Sequence, residues 1–397
     1  MAVAPPDVLD SELDVSLDDV DDLHEQLRDL AARKPAVWAK AFGEPAIVLL
    51  SHELVQAAFK DEETFPAAEF YGNVVTDVMG RNMQCMVGEE HRVNRALVSP
   101  AFRQRLMPGL VAPLLEPVAH ELVDRFEPRG EAELVAEFTS RYPFTVICRL
   151  LGIPRHSEDE VKRWALGLLD IQGNYEHAVQ CSREFIEFVT PILHRRRDDP
   201  GDDLISTLAT TEVEGERLTD GEIFDFLRLL FPAGADTTYL GLGNTLFALL
   251  THPDQLELVR SDLDTECRWA AEEGLRWSAP VAFIPRRSTA ELVWHDLPVP
   301  GNTSIQLAIV AANRDPAVFD DPDRFDVRRR PASVLTFGFG AHFCLGAHLA
   351  RAELETTLAV LLARLPRLRL ADDDDARIVG QFNKILRGPD RLPVRFD

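Results

Sequence analysis

One cysteine in a glycine-rich loop constrains this chain more than any other feature. The stretch reads Thr336-Phe337-Gly338-Phe339-Gly340-Ala341-His342-Phe343-Cys344-Leu345-Gly346-Ala347-His348-Leu349-Ala350-Arg351. Behind it Leu345, Leu349, Leu354, Leu358, Leu361, Leu362 and Leu365 recur at spacings of three and four, the stripe of an amphipathic helix. The loop therefore delivers a single sulfur to a helix start. A thiolate there meets unpaired N–H groups and the positive end of the helix dipole, and both lower its pKa. Gly338, Gly340 and Gly346 let the backbone bend and approach a flat partner closely, while Phe337 and Phe343 wall the sulfur from water.

The rest of the composition narrows the class. With 397 residues, 46% hydrophobic and 27% charged, the chain suits a large soluble core and excludes wholesale disorder or a fibrous repeat. Its 42 basic and 66 acidic residues give a net charge of −24, which disfavours binding nucleic acid or an anionic membrane through bulk charge. Five widely spaced cysteines argue against a disulfide framework and for a reducing compartment. Residues 7–29 are acidic and lack the basic start of a targeting peptide. The most apolar stretch, Phe224 to Leu250, is interrupted by Arg228, Pro232 and Asp236, so it reads as a buried helix and not a membrane span. A cytoplasmic location without membrane attachment is expected.

Apolar periodicity predicts helices near 110–126, 157–170, 181–196, 220–250 and 345–365. Strand-like pieces fall near 36–50, 291–298, 303–308 and 378–396, between glycine and proline punctuation. The segments 198–203 and 372–375 read as acidic surface turns. The expected organisation is an acidic N-terminal segment, 1–34, followed by one domain over 35–397, mainly α with a smaller β portion.

Other chemistries for the cysteine loop fail. His342, Cys344 and His348 lack a fourth ligand and have the wrong spacing for a zinc module. Gly338-x-Gly340 is not followed by Lys-Ser/Thr, as a phosphate loop requires. A shielded anionic sulfur as the protein ligand is what a haem iron uses to cleave an O–O bond. Phe337, Gly340, His342, Cys344 and Gly346 match Phe-x-x-Gly-x-His/Arg-x-Cys-x-Gly without departure, and the segment resembles the haem-binding loop of the cytochromes P450.

A second motif agrees. Thr219 and Glu222 form a capping box that starts a helix running through Phe231-Pro232-Ala233-Gly234-Ala235-Asp236-Thr237-Thr238. Pro232 and Gly234 deep inside it predict a kink or local widening. The run resembles the long central helix of the cytochromes P450, which lies across the oxygen-binding face of the haem, although Pro232 departs from the usual small or aliphatic residue. The resemblance implies that Thr237 hydrogen-bonds bound oxygen and that Asp236 relays protons. The residues alone admit a plainer role, the Thr237 hydroxyl bonding back to a carbonyl of its own helix.

The resemblance extends from about residue 35 to 396 and implies further roles. Glu273, Arg276 and Arg324 would form a buried charged triad. His91, Arg95, Arg286 and His342 would hold the haem carboxylates, with Arg287 competing for the place of Arg286. Phe337, Gly338, Gly346 and Ala233 would touch the macrocycle. Phe70, Val74, Met79, Leu229, Ala233, Ala282, Phe283, Ile385 and Leu386 would line an apolar substrate pocket, under a covering segment at 65–88. The expected fold is that of the cytochromes P450, and the expected cofactor is haem b, ligated by Cys344. The expected activity is O2-dependent oxygenation of a hydrophobic small molecule such as a terpenoid, steroid, fatty acid or aromatic. Electrons would come from NAD(P)H through a separate ferredoxin-type donor, docking near Arg92, Arg103, Arg105 and Arg351, and the protein would be a monomer. A peroxide-using or isomerising haem–thiolate enzyme and a non-catalytic haem carrier or sensor are the alternatives.

Overall fold

The computed structural model describes residues 6, 8–20, 22–171, 173–371, 376–381 and 384–397; the acidic run 372–375 lies outside the described residues. The N-terminal part forms α1 (Leu23–Ala31), the hairpin β1 (Ala36–Ala41) and β2 (Glu44–Leu49), and α2 (His52–Lys60). Short helices α3 (Ala67–Val74) and α4 (Thr76–Met79) precede α5 (Gly88–Val98). The helical middle includes α6 (Tyr142–Leu150), α7 (Glu158–Leu168), α8 (Tyr175–Asp198), α9 (Asp220–Thr251) and α10 (Leu263–Trp277). Strands β3 (Phe283–Arg287) and β4 (Ser304–Ala308) follow, then α11 (Ala347–Arg364) and the hairpin β5 (Ile378–Gln381) and β6 (Leu386–Pro389). The mainly α expectation with strands gathered toward both ends is what the chain does.

The main sheet has the order β1-β2-β4-β3, so N-terminal and C-terminal strands share it. β2 runs parallel to β4, with Ala46 opposite Ser304, and β3 runs antiparallel to β4, with Arg286 opposite Ile305. The acidic segment is built onto this sheet: Leu13, Val15, Leu23, Leu27 and Leu30 are buried in the same apolar cluster as Val37, Ile47 and Ile305.

Helix α9 is the long axis of the helical part. Thr219 Oγ1 accepts from the Glu222 amide at 3.2 Å, and a Glu222 carboxylate oxygen accepts from the Thr219 amide at 2.8 Å, closing the predicted capping box. Its 32 residues give a length of about 48 Å. Apolar residues occur all round it, as suits a helix packed on every side. The expected widening at Pro232 is not found: α-helical structure runs through it unbroken. Leu230, Phe231, Ala235 and Ile147 hold this stretch in a shared apolar cluster.

Helix α10 carries the charged core. Glu273 and Arg276 have fully buried side chains and pair in a bidentate geometry, at 2.7 and 2.8 Å. Arg276 also donates to the carbonyls of Asn313, Pro322 and Arg324 at 3.0, 2.8 and 3.1 Å. The second cation on Glu273 is Arg329, at 3.2 Å, which corrects the assignment of Arg324. Arg324 is exposed and contributes its carbonyl, which Arg276 and Arg329 both use. The two arginines lie five positions apart on either side of an irregular stretch and the start of a short 3-10 helix, so sequence spacing alone did not distinguish them.

This network reaches the cysteine loop. Asn313, whose carbonyl accepts from Arg276, accepts the Leu335 amide at 2.8 Å and donates to Thr336 Oγ1 at 2.8 Å. Thr336 in turn donates to the Leu275 carbonyl at 2.7 Å. Removing one member of a fully buried pair leaves an uncompensated charge, at a cost of about 3–5 kcal/mol. Arg276→Met is therefore expected to lose at least about 3 kcal/mol in denaturant unfolding, and Arg324→Ala about 0.5 kcal/mol or less. Equal losses for the two variants would contradict the assignment.

Candidate haem-binding and oxygenation site

The loop before α11 is folded back on itself. The Gly338 amide donates to Leu335 O at 2.8 Å, the Phe343 amide to Gly340 O at 3.1 Å, and the Cys344 amide to Phe337 O at 2.9 Å. Gly340 has φ 75°, and a Cβ there would stand 2.7 Å from the Phe59 carbonyl oxygen at the end of α2. Only glycine fits that place. Gly346 is different. It caps α11 with φ −83°, and nothing lies within 4 Å of where a Cβ would be. No protein neighbour requires glycine there, which suits a flat partner lying against the loop.

Cys344 is the exposed one of the five cysteines; Cys85, Cys148, Cys181 and Cys267 are buried. Its thiol pKa is raised and not lowered as expected. Its low-polarity surroundings push it up, against the amides of Gly346 and Ala347 and the cations Arg95 and Arg351, which pull it down. Helix α11 begins at Ala347, so the sulfur sits three residues ahead of the first helical residue. A cation bound at the sulfur supplies the charge that this balance lacks.

The four expected carboxylate partners surround this loop. Arg95 donates to Phe343 O at 2.6 Å. His91 and His342 stack with ring centroids 4.1 Å apart, and His342 Nε2 lies 3.1 Å from a Glu62 carboxylate oxygen. Burial pushes the His91 pKa down to about 4, helped by His342 and Arg95. Arg286 is 3% exposed and lies over the Phe59 ring, 5.8 Å away. Arg287 turns instead to Asn302 O, at 2.8 Å, which resolves the choice between the two neighbours. His91 Nε2 and Arg286 Nε are buried without a hydrogen-bond partner. Two orphaned donors, an exposed thiol and an open glycine cradle fit a flat, thiolate-ligated group with an anionic edge. Glu62 escaped the sequence reading, because an isolated carboxylate carries no motif, and Tyr71, within the expected covering segment, stands against Arg286.

Leu345, next to Cys344, packs against the apolar cluster that also includes Phe231 and Ala235 of α9. On α9 Ala233 is exposed and Thr237 half-buried, one turn apart on a helix otherwise largely buried. Thr237 Oγ1 donates to Ala233 O at 2.7 Å, the plainer role that the residues admitted. Asp236 points elsewhere. It is fully buried, and neither carboxylate oxygen has a hydrogen-bond partner. Burial pushes its pKa up to about 8, against the field of Lys162 on α7.

The apolar lining is partly redrawn. Phe70, Val74, Leu229, Ile385 and Leu386 are half-buried, as lining residues are. Met79 is 4% exposed and packed with Val75, Val78 and Leu168, and Ala282 and Phe283 are 0% exposed within the sheet-side core. The residues on either side of that pair, Val281 and Ile284, are half-buried. Of the four arginines expected to greet an electron donor, Arg92 pairs with Glu89 and Glu214, and Arg351 with Glu272. Arg103 and Arg105 are exposed.

Comparison with known proteins decides the family. The family model described as Cytochrome P450 matches residues 15–163 and 160–394. The chain belongs to the cytochrome P450 family. It is 33% identical to 6-deoxyerythronolide B hydroxylase of Saccharopolyspora erythraea, over 95% of this chain and 96% of the relative. It is also 33% identical to the steroid C26-monooxygenase of Mycolicibacterium smegmatis, over 93% of each. The solved structure of the Bacillus subtilis bacillaene polyketide synthase P450, PksS, superposes with a TM-score of 0.88 at 31% identity, covering 95% of this chain and 97% of that one. The protein is a P450 monooxygenase of the bacterial type, a haem–thiolate family that acts on small molecules with O2 and redox partners. Among the described residues no single helix is long and apolar enough to cross a membrane.

The Asp236 environment has a thermodynamic consequence. A carboxyl whose folded pKa is raised stabilises the native state fully below its unfolded pKa, near 3.8, and loses that contribution as pH rises through about 8. Asp236→Asn, neutral throughout, is expected to gain melting temperature over the wild-type holoprotein at pH 8 and to lose that gain toward pH 4. A pH-independent difference would contradict the assignment.

Proposed function

We propose that the enzyme inserts one oxygen atom from O2 into a bulky hydrophobic small molecule of macrolactone or steroid type, using haem b ligated by Cys344. The observation that carries the reading is the single exposed cysteine, held on a loop with His91, Arg95, Arg286 and His342 about it, in a chain whose long helix α9 exposes Ala233 and leaves Thr237 half-buried. The apolar lining from Phe70, Val74, Leu229, Ile385 and Leu386 supports a hydrophobic substrate. The macrolactone and steroid classes are supported by the names of the two hydroxylating relatives. Electrons come from NAD(P)H through a ferredoxin-type donor, and the protein works as a cytoplasmic monomer.

Bound haem supplies the centre at which O2 is activated. The chain supplies position and protons. Arg286, Arg95 and the two stacked histidines hold the carboxylate edge, and the buried guanidinium has a free N–H for it. Asp236, protonated near neutral pH, is a proton store beside the groove, and Lys162 is the nearby cation that eases its ionisation. The Thr237 hydroxyl, parked on Ala233 O, can turn its proton toward the groove by rotation about χ1. A proton store beside a mobile hydroxyl supports O2-dependent chemistry over peroxide use, isomerisation or haem carriage.

The test begins with a panel of macrolactones and steroids, read by the low-to-high-spin shift of the ferric haem. With a compound that shifts the spin state, Thr237→Ala is expected to keep affinity within about twofold and to lower product formed per NAD(P)H at least tenfold, with peroxide or water taking the electrons. An unchanged product ratio, or no shift with any member of the panel, would contradict the reading.

A further inference from the structure

One buried charge lies outside everything described so far. Arg228, on α9 about two and a half turns before Thr237, is 9% exposed and faces neither the solvent nor the cysteine loop. Its Nη1 donates to Val78 O at 3.1 Å and to Ser182 Oγ at 2.9 Å, and its Nη2 pairs with Asp225 on its own helix. Ser182 also donates to Val78 O, at 2.6 Å. One guanidinium thus joins three pieces of chain: α9, the end of α4 and the first third of α8.

Apart from Met83, which is buried in the larger cluster that includes Ile223, Phe226 and Leu227 of α9, the segment it holds packs in a core of its own. Val75, Val78, Met79 and Cys85 form a small apolar cluster with Leu168 and Ala178, separate from the three larger cores. Among the described residues, every hydrogen bond from α9 to residues 75–86 comes from Arg228. Gly80 turns there with φ 69°, and a Cβ on it would stand 2.0 Å from an Asp225 oxygen and 2.3 Å from Arg228 Nη2. The backbone has been brought directly onto the ion pair. The partners facing the two Nη groups are a carboxylate, a hydroxyl and a carbonyl, while Nε is buried without a hydrogen-bond partner, so most of the charge is answered within the clamp.

We propose that Arg228 is a positioning residue for substrate capture: it clamps the 75–86 cover and α8 onto α9, so that breaking the clamp opens the pocket without altering the chemistry on Thr237. This rests on the reading of 65–88 as the cover of the substrate pocket. A small satellite core can open by itself while the main cores stay folded. A buried charge-assisted anchor is the interaction that determines how often it does.

Hydrogen–deuterium exchange on the holoprotein tests the clamp without any need for turnover. In Arg228→Gln, exchange in residues 75–86 and in the half of α8 around Ser182 is expected to rise at least tenfold, with residues 336–351 unchanged. Ser182→Ala, which leaves the ion pair intact, is expected to give a smaller rise in the same segments, and Arg228→Lys to recover part of the loss. With a spin-shifting compound, substrate dissociation is expected to quicken at least tenfold in Arg228→Gln, with kcat and product per NAD(P)H within about twofold of wild type. A uniform rise in exchange along the chain would make Arg228 merely structural and overturn the proposal. Locally raised exchange with an unchanged dissociation rate would overturn its role in capture while leaving the oxygenation reading untouched. Loss of spin shift in the wild type would instead fall on the oxygenation reading.

Discussion

The sulfur of Cys344 is useful because it has almost no freedom. Its amide is bonded to Phe337 O, its loop is pinned where Gly340 meets the Phe59 carbonyl, and the entry to that loop is bonded through Asn313 to Arg276. Arg276 is itself fixed by a fully buried carboxylate and three carbonyls. An ion pair of that depth is weak as a source of stability, because desolvation consumes much of its attraction. Its effect here is geometrical. Any shift of α10 relative to the chain at 313–336 would break several charge-assisted bonds together, so the loop has one position.

The distal side is arranged on a different principle. Helix α9 is buried along much of its length, and in its middle Ala233 is exposed and Thr237 half-buried. Two adjacent residues on it have opposite fates: Thr237 shares the face of Ala233, and Asp236, turned by one helical step, is sealed in the protein with no partner. Burial alone keeps its proton on near neutral pH, and Lys162 is close enough to offset part of that cost. The helix period therefore separates the group that touches the groove from the group that stores the proton.

Much of this was legible in the sequence where a requirement is local. The capping box and the long helices follow from spacing and residue type within a few positions, whereas the haem loop, the Glu273–Arg276 pair and the choice of His91, Arg95 and His342 came from the resemblance that the loop and helix motifs carry. What was hidden depends on packing between distant segments. Arg329 displaced Arg324 because a turn decides which arginine reaches Glu273. Met79, Ala282 and Phe283 are buried, Met79 in a satellite cluster and the other two in the sheet-side core, because contacts between distant segments set their surroundings. The thiol pKa went the other way because desolvation by the surrounding chain outweighs two amides and two cations even at a residue that reaches the surface. Pro232 left α9 unbroken because the helix is held by packing along its length.

The central claim is that the iron is bound by the sulfur at position 344, and the difference spectrum of the reduced protein with carbon monoxide addresses it most directly. The account predicts the long-wavelength Soret band of a thiolate ligand in the wild type and its loss in Cys344→His, with haem still bound. A wild-type spectrum of the nitrogen-ligated kind, or a thiolate band that survives in Cys344→His, would contradict it.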